Sequence, residues 1–250
     1  MATVEDLRAK TDRLLDRLKG LGTAVVAFSG GVDSTLLLHC AVEALGEGVL
    51  ALTVDTPYLP RRELAEARDL ARRLGARHRV VSLPIPAEVA HNPETRCYRC
   101  KRQIFARIRA EAEGLKIPHL LDGTNADDLG RYRPGLKALA ELQVHSPLAE
   151  AGLTKDEVRS LSRQAALPTW DKPAYSCLLT RLPHGVQVRR EDLDRIEAAE
   201  NCLRDAGFPA VRVRYHAHER LARIEIPSGD FEAFLAHGAK VDVAGQFQAL

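Results

Sequence analysis

No segment of the 250-residue sequence approaches the unbroken apolar length that crosses a bilayer, so membrane insertion is not expected. Nor is there a large excess of one charge. The formal net charge of +2 is too small to argue for a broad nucleic-acid footprint, although arginine is used far more than lysine. The opening MATVEDLRAKTDRLLDRLKG lacks the short apolar stretch of a secretion signal and spaces Leu among charged residues at helical intervals, which predicts an amphipathic helix in a cytoplasmic protein. Five cysteines, an odd number without an export signal, argue against a disulfide framework and direct attention to metal or sulfur chemistry. Internal repeats and low-complexity tracts are also missing, and a chain of this length predicts one large domain with a smaller companion.

What is present is an alternation of short apolar runs with helical patterns. TAVVAF (23–28), VLALTV (49–54) and RVVSL (79–83) read as strands, and 119–121 ends a fourth just before DGTNADD. Helical spacing occupies 34–45, 61–74 and 101–112. The alternation predicts an α/β fold, a doubly wound parallel sheet covered on both faces, with ligands at the strands' carboxyl ends, where SGGVDS, DTPY and DGTN emerge. Near 183–185 the character changes. A long helix over 190–206 is followed by VRVRYHAH and RLARIEI, which alternate like two antiparallel strands, and by a short helix near 231–237. The expected division is 1–185 for the large domain and 186–250 for a small α+β domain that serves substrate binding or oligomerisation.

SGGVDS joins the first strand to the next helix. Gly30 and Gly31 admit backbone angles closed to other residues and let main-chain N–H groups approach phosphate oxygens, while the helix start adds its dipole. Ser29 and Ser34 offer hydroxyls, and Asp33 suits the Mg²⁺ that accompanies a polyphosphate. The lysine of the common phosphate loop and the spaced glycines of dinucleotide sites are both absent, so hydride transfer and plain NTP hydrolysis lose support. SGGVDS after a first strand resembles the PP-loop of the ATP pyrophosphatase superfamily, with its adenine nucleotide alpha hydrolase-like fold. That resemblance implies cleavage of ATP between the α and β phosphates and transfer of AMP to a substrate oxygen. It places pyrophosphate with Ser29, Gly30, Gly31, Asp33 and Ser34, and adenine near Asp55 and Thr124.

Cys97 and Cys100 form a C-x-x-C in NPETRCYRCK, read as a loop before a helix, and Cys177 lies in KPAYSCLLTR. Two thiolates are half a metal site, and Cys177 is the natural third ligand. Three thiolates would leave one iron of a [4Fe-4S] cluster open to an extra sulfide. A structural zinc completed by a histidine such as His91, or unconnected thiols, are other readings of the same residues. Cys40 falls on the apolar face of a helix and reads as core, and Cys202 has no partner nearby in sequence.

Taken together, SGGVDSTLL, NPETRCYRCK, LDGTNADDLGRYRPGLKAL, HSPLAEAGLTKDEVR, LPTWDKPAYSCLLTRLPHG and VRVRYH followed by ARIEI resemble the LarE-type sulfur transferases of nickel-pincer nucleotide synthesis, over residues 23–226. The resemblance implies that ATP adenylates a carboxylate of pyridinium-3,5-biscarboxylic acid mononucleotide and that protein-held sulfur converts it to the thiocarboxylate, toward the cofactor of lactate racemase. In one version of the family the cysteine matching Cys177 gives up its own sulfur and becomes dehydroalanine. In another, cysteines matching Cys97, Cys100 and Cys177 hold a [4Fe-4S] cluster whose added sulfide is the donor, and with all three present that version is expected. The resemblance further implies that Arg181, Arg212 and Arg214 bind the substrate phosphate, with Glu200 orienting one of them and Lys101 contacting phosphates or capping its helix. Arg212 and Arg214 are two apart on a strand and so project from one face, where bidentate guanidinium pairing suits phosphate oxygens. His216 and His218 share a face and read as a surface or subunit contact. The family's tail runs longer than VDVAGQFQAL, which bears on tail-dependent subunit contacts, and exposed strand edges predict a homo-oligomer. Two alternatives stand: a PP-loop tRNA thiolase, weakened by the near-neutral charge and the absence of a recognisable RNA module, and a non-enzymatic adenine-nucleotide sensor in which Asp33 and Cys177 are idle.

Overall fold

The computed structural model describes residues 4–130, 134–216, 219, 221–238, 245 and 247. The chain divides into two units, Met1–Pro86 with Thr95–Tyr175, and Ala87–Glu94 with Ser176–Leu250. The sequence pattern puts this boundary between 185 and 186. The second unit instead starts at Ser176 and takes in a segment from the middle of the chain, because Asn92 donates from Nδ2 to the carbonyls of Leu179, Leu182 and Pro183.

The first unit runs α1 (Val4–Lys19), β1 (Ala24–Ala27), α2 (Val32–Leu45), β2 (Val49–Asp55), α3 (Arg61–Arg73), β3 (Arg77–Ser82), α4 (Arg96–Gly114), β4 (His119–Leu121), α5 (Ala126–Leu129), α6 (Pro134–Glu141), α7 (Pro147–Glu150) and α8 (Lys155–Gln164). Its sheet is parallel, in the order β3-β2-β1-β4, and a single bridge from Leu121 to His145 continues it past β4. Both faces are covered, as a parallel sheet requires. Ala24, Val26, Val49 and Ala51 pack with Leu36 and Leu37 of α2 and Ala67 and Leu70 of α3, while Val25, Leu50 and Leu52 pack with Phe105 and Ile108 of α4. Leu37 and Leu121 have no exposed surface, so truncating either to Ala costs about 2–5 kcal/mol.

This layering sets where a ligand can sit. The chain steps outward from β1 to β3 with α2 and α3 on one face, then α4 carries it back across the other face to β4, on the far side of β1. Direction reverses between β1 and β4, and the crevice at their carboxyl ends is the switch point of an open α/β sheet. Cys40 sits in the α2 core, where burial pushes its thiol up to about 12 and leaves it unreactive at neutral pH.

Helix α4 begins at Arg96, with Thr95 as N-cap. Cys97 and Cys100 therefore lie in its opening turns and not in a loop before it, a correction to the sequence reading.

In the second unit α9 (Arg190–Asp205) precedes the antiparallel pair β5 (Arg212–His216) and β6 (Leu221–Glu225), followed by α10 (Phe231–Gly238). Ala199, Leu203, Phe208, Val211 and Val213 form its core, with Phe208 edge-on to Phe234. Strand β5 alternates as required: Val213 faces this core while Arg212 is exposed. His218 lies outside the described residues. Among the described residues, no helix is long and apolar enough to cross a membrane.

Candidate active site

The β1–α2 junction is shaped by close approach. Gly30 has φ +71°, and a Cβ there would lie 3.3 Å from both Cα and Cβ of Ala67, so angle and space alike require glycine. Gly31 is the N-cap of α2 and supplies no side-chain cap, which leaves first-turn N–H groups for an anion. The Ser29 and Ser34 hydroxyls are 3.1 Å apart, and Ser34 Oγ donates to the Gly31 carbonyl. On the β4 side, a Cβ on Gly123 would fall 2.9 Å from Ser34 N, so the DGTN loop seats directly on the start of α2. Ser29, Gly30, Gly31, Asp33, Ser34 and Thr124 thus meet at the switch point.

Three partners of this cradle went unread in the sequence. Asp33 accepts from Asn125 Nδ2 at 3.0 Å and from Lys155 Nζ at 2.5 Å. Both donors stand at helix starts fixed by capping boxes, Asn125 with Asp128 and Thr154 with Glu157, and that spacing was the available signal. Lys172, in the KPAYSC segment, donates to the Gly30 carbonyl at 3.2 Å and to Glu63 and Glu66 of α3, each at 2.8 Å. Burial works to lower its pKa, but the two carboxylates outweigh it and hold the ammonium above its ordinary range. Thr124 is buried and bonds Asp122 through its N–H and hydroxyl, while Asp55, at the end of β2, is held by Arg61 at 2.7 Å. A single carboxylate at the mouth of a phosphate cradle suits Mg²⁺, which keeps most of its waters and takes its other oxygens from phosphates.

In α4, Cys97 is exposed and Cys100 half-buried, three residues apart and so on one face, with Cys100 Sγ 3.1 Å from the hydroxyl of buried Tyr58. Such a pair fits two corners of a thiolate-held iron–sulfur cluster. Lys101 turns from this turn to Asp122 at 3.3 Å, which links the thiol-bearing helix to the Thr124 loop. Within neither unit, among the described residues, do three or more His, Cys, Asp or Glu side chains converge as a metal ion requires. The C-x-x-C pair belongs to the first unit, and His91 and Cys177 belong to the second.

Cys177 is half-buried and opens the 3-10 turn Leu178–Arg181. Arg181 is 2% exposed and is turned inward: Nε and Nη2 donate to Glu200, and Nη1 donates to the Ser176 carbonyl and hydroxyl and to Thr180 Oγ1. The expectation that Arg181 binds the substrate phosphate is corrected, since its guanidinium is consumed by partners inside the unit. Glu200, fully buried, also accepts from Arg204 and from the Val213 N–H. Arg214 donates to Glu225 at 2.5 Å and to the Thr180 carbonyl at 2.8 Å, and its hydrogen bond is the main reason the Glu225 carboxyl lies below its ordinary range. Arg212 is exposed on the same face of β5 as Arg214.

Residues 23–106 match the family described as "Queuosine biosynthesis protein QueC". A protein of Synechocystis sp., slr1717, is 38% identical to this chain over 97% of it and 90% of its own length. The pyridinium-3,5-bisthiocarboxylic acid mononucleotide synthase of Lactiplantibacillus plantarum is 35% identical over 94% of this chain and 86% of that one. One component of the glutamine-hydrolyzing GMP synthase of Thermoplasma volcanium is more distant, 27% identical over 77% of this chain and 66% of its own. Identity of that order with the L. plantarum synthase, over nearly the whole of this chain and most of that one, places the chain in the LarE-type family of pyridinium-3,5-bisthiocarboxylic acid mononucleotide synthases.

Proposed function

We propose that this protein is an ATP-dependent sulfur transferase that converts a carboxylate of pyridinium-3,5-biscarboxylic acid mononucleotide into a thiocarboxylate, in the synthesis of the nickel-pincer nucleotide used by lactate racemase. The observation that carries the reading is the likeness to the L. plantarum synthase across nearly the whole chain, and a phosphate cradle at the switch point supports it. The substrate carboxylate attacks the α-phosphorus of ATP and pyrophosphate leaves toward Ser29, Gly30, Gly31 and Ser34, with Lys155 offsetting phosphate charge; Asp33 would hold the Mg²⁺ that accompanies the polyphosphate. The acyl adenylate so formed is open to a sulfur nucleophile, which adds at the carbonyl carbon and expels AMP. Arg212 and Arg214 take the substrate phosphate. The reaction runs in the cytoplasm, in a homo-oligomer, on a small molecule and not on nucleic acid.

Both routes for the sulfur need Cys177, as a cluster ligand in one and as the donor in the other. Cys97, Cys100 and Cys177 would be the residues that hold a [4Fe-4S] cluster, which when bound supplies an open iron for an added sulfide. A second reading is favoured by the Cys177 turn being fully organised within its own unit: its thiolate attacks the adenylate, the Cα proton is lost, and the Cβ–S bond breaks to leave dehydroalanine and the thiocarboxylate. Iron and acid-labile sulfide are measured on protein purified without oxygen, together with the mass of the Cys177 peptide after turnover with ATP and the pyridinium substrate. About four irons per chain with an unchanged peptide supports the cluster, and no iron with dehydroalanine at 177 supports the sacrificial route. Cys177→Ala is expected to abolish thiocarboxylate formation while sparing pyrophosphate release; thiocarboxylate made at the normal rate refutes both.

A further inference from the structure

We propose that Arg181 is a positioning residue for Cys177, with Glu200 as the counter-charge that holds it in place; this rests on the reading above, in which both sulfur routes need Cys177. The guanidinium and carboxylate are almost wholly buried and meet in a two-point pair, Nε to Oε1 at 2.8 Å and Nη2 to Oε2 at 3.2 Å. That leaves Nη1 aimed at the turn. It donates to the Ser176 carbonyl at 2.9 Å, to Ser176 Oγ at 2.7 Å and to Thr180 Oγ1 at 2.8 Å. Thr180 Oγ1 in turn donates to the carbonyl of Cys177 itself at 2.8 Å. One guanidinium therefore ties down the residue before the thiol, the thiol's own backbone and the residue three positions after it.

The other end of the pair is equally fixed. Glu200 accepts Arg204 Nη2 at 2.6 Å and the N–H of Val213 at 3.1 Å, and Val213 stands between Arg212 and Arg214. Arg214 donates back to the Thr180 carbonyl. The turn that presents the thiol and the strand that presents the arginines are thus both referenced to one carboxylate.

A buried ion pair is weak evidence for stability, because desolvation consumes most of its attraction, and its better-attested use is to select one arrangement over its neighbours. Selection matters here because sulfur must meet a carbonyl carbon whose location is set by a phosphate bound elsewhere on the substrate. A shift of about 1 Å in such a geometry costs on the order of 100-fold in rate. Lysine cannot replace the arginine, since a point charge cannot span Glu200 and the turn together.

The test uses the full chain with Arg181→Lys, Thr180→Val and Cys177→Ala. Each variant is followed for pyrophosphate release, thiocarboxylate formation and the alkylation rates of Cys177 and Cys97 by iodoacetamide, read by mass spectrometry. Thr180→Val keeps the side-chain shape and leaves the buried pair intact, so it carries the test if Arg181→Lys does not fold. In both turn variants, thiocarboxylate formation is expected to fall about tenfold or more, with pyrophosphate release and the substrate KM within about twofold of the parent. Cys177 alkylation rises about threefold or more as the turn loosens, and Cys97 alkylation stays put. The proposal is overturned if both turn variants keep parental transfer and Cys177 reactivity, if pyrophosphate release falls in step with transfer, or if Cys97 reactivity rises equally. Transfer that survives Cys177→Ala overturns the role of Cys177 itself; transfer lost there but intact in both turn variants overturns the positioning role alone.

Discussion

Gly123→Ala tests whether contact between the β4 loop and the start of α2 is what shapes the nucleotide cradle. The added methyl carbon would lie 2.9 Å from Ser34 N and 3.1 Å from both Asp33 C and Ser34 Cα. All three are backbone atoms, so no side chain can rotate away and one loop must shift. Overpacking of this kind costs about 1–3 kcal/mol. For a chain of this size each kcal/mol lowers the melting temperature by about 2–4 °C, so a fall of roughly 2–12 °C is expected. The shift moves Asn125 and Thr124 against Asp33 and Ser34, and the KM for ATP should rise about tenfold, the equivalent of ~1.4 kcal/mol. Thermal unfolding and ATP-dependent pyrophosphate release measure the two effects. Gly114→Ala is the control, because nothing lies within 4 Å of its added carbon and alanine at a helix end is neutral or stabilising by up to about 1 kcal/mol. A Gly123→Ala protein that melts and binds ATP like Gly114→Ala would refute the argument.

Lys172→Met strands Glu63 and Glu66 and frees the Gly30 carbonyl; allowing for the partial exposure of Glu66, it should cost about 1–2 kcal/mol in urea unfolding and raise the KM for ATP more than that for the pyridinium substrate. The pH dependence of that loss is a separate check. Burial pushes the Glu66 carboxyl up, but Lys172 and Arg62 outweigh it and hold it below its ordinary 4.5, so this contribution is complete above pH 4.5 and is lost as pH falls through the lowered value. Lys172, held above its ordinary 10.5, keeps its share below that pH and loses it only as pH rises through the raised value. A parent-to-variant difference that stays constant as pH falls far below 4.5 would contradict the Glu66 assignment, and one that shrinks as pH rises toward 10.5 from neutral would contradict that of Lys172. Arg212→Ala and Arg214→Ala should each raise the KM for the phosphate-bearing substrate about tenfold; Arg214→Ala should in addition slow sulfur transfer, since it also releases the Thr180 carbonyl. Equal kinetics for the two variants would remove Arg214 from the turn.

The glycine loop and its place between a strand and a helix were legible because a tight, closely packed turn leaves few residue types that fit, and Gly30 stands where that geometry demands glycine; Gly31, expected to share that demand, instead has extended backbone that any residue adopts and only an ordinary contact at its Cβ position. The arginine strand was legible for a similar reason, as period-two alternation sets which side chains share a face. Arg181 misled, because in sequence an arginine beside a cysteine carries no mark of whether its charge meets solvent, a ligand or a buried carboxylate. Glu200, whose carboxylate decides the matter, sits 19 residues away on a helix whose spacing alone showed only that one face is covered. The C-x-x-C was placed before its helix because Thr95, the N-cap, has Tyr98 three positions on and not a Glu or Gln, so no capping box marked the start.

By itself the sequence determined the parallel α/β sheet, the order of its strands and helices along the chain, the small antiparallel pair near the end and the chemistry its motifs can support, since hydrophobic period and local steric demands are written residue by residue. The tertiary structure alone decided the pairings. Lys155 reaches Asp33 across 122 positions and Lys172 reaches Gly30 across 142, residues 87–94 join the second unit, and Arg181 turns inward to hold the Cys177 turn. The physical reason is the same in each case: periodicity encodes that a face must be covered and a charge must be met, while the partner is chosen only when distant segments pack.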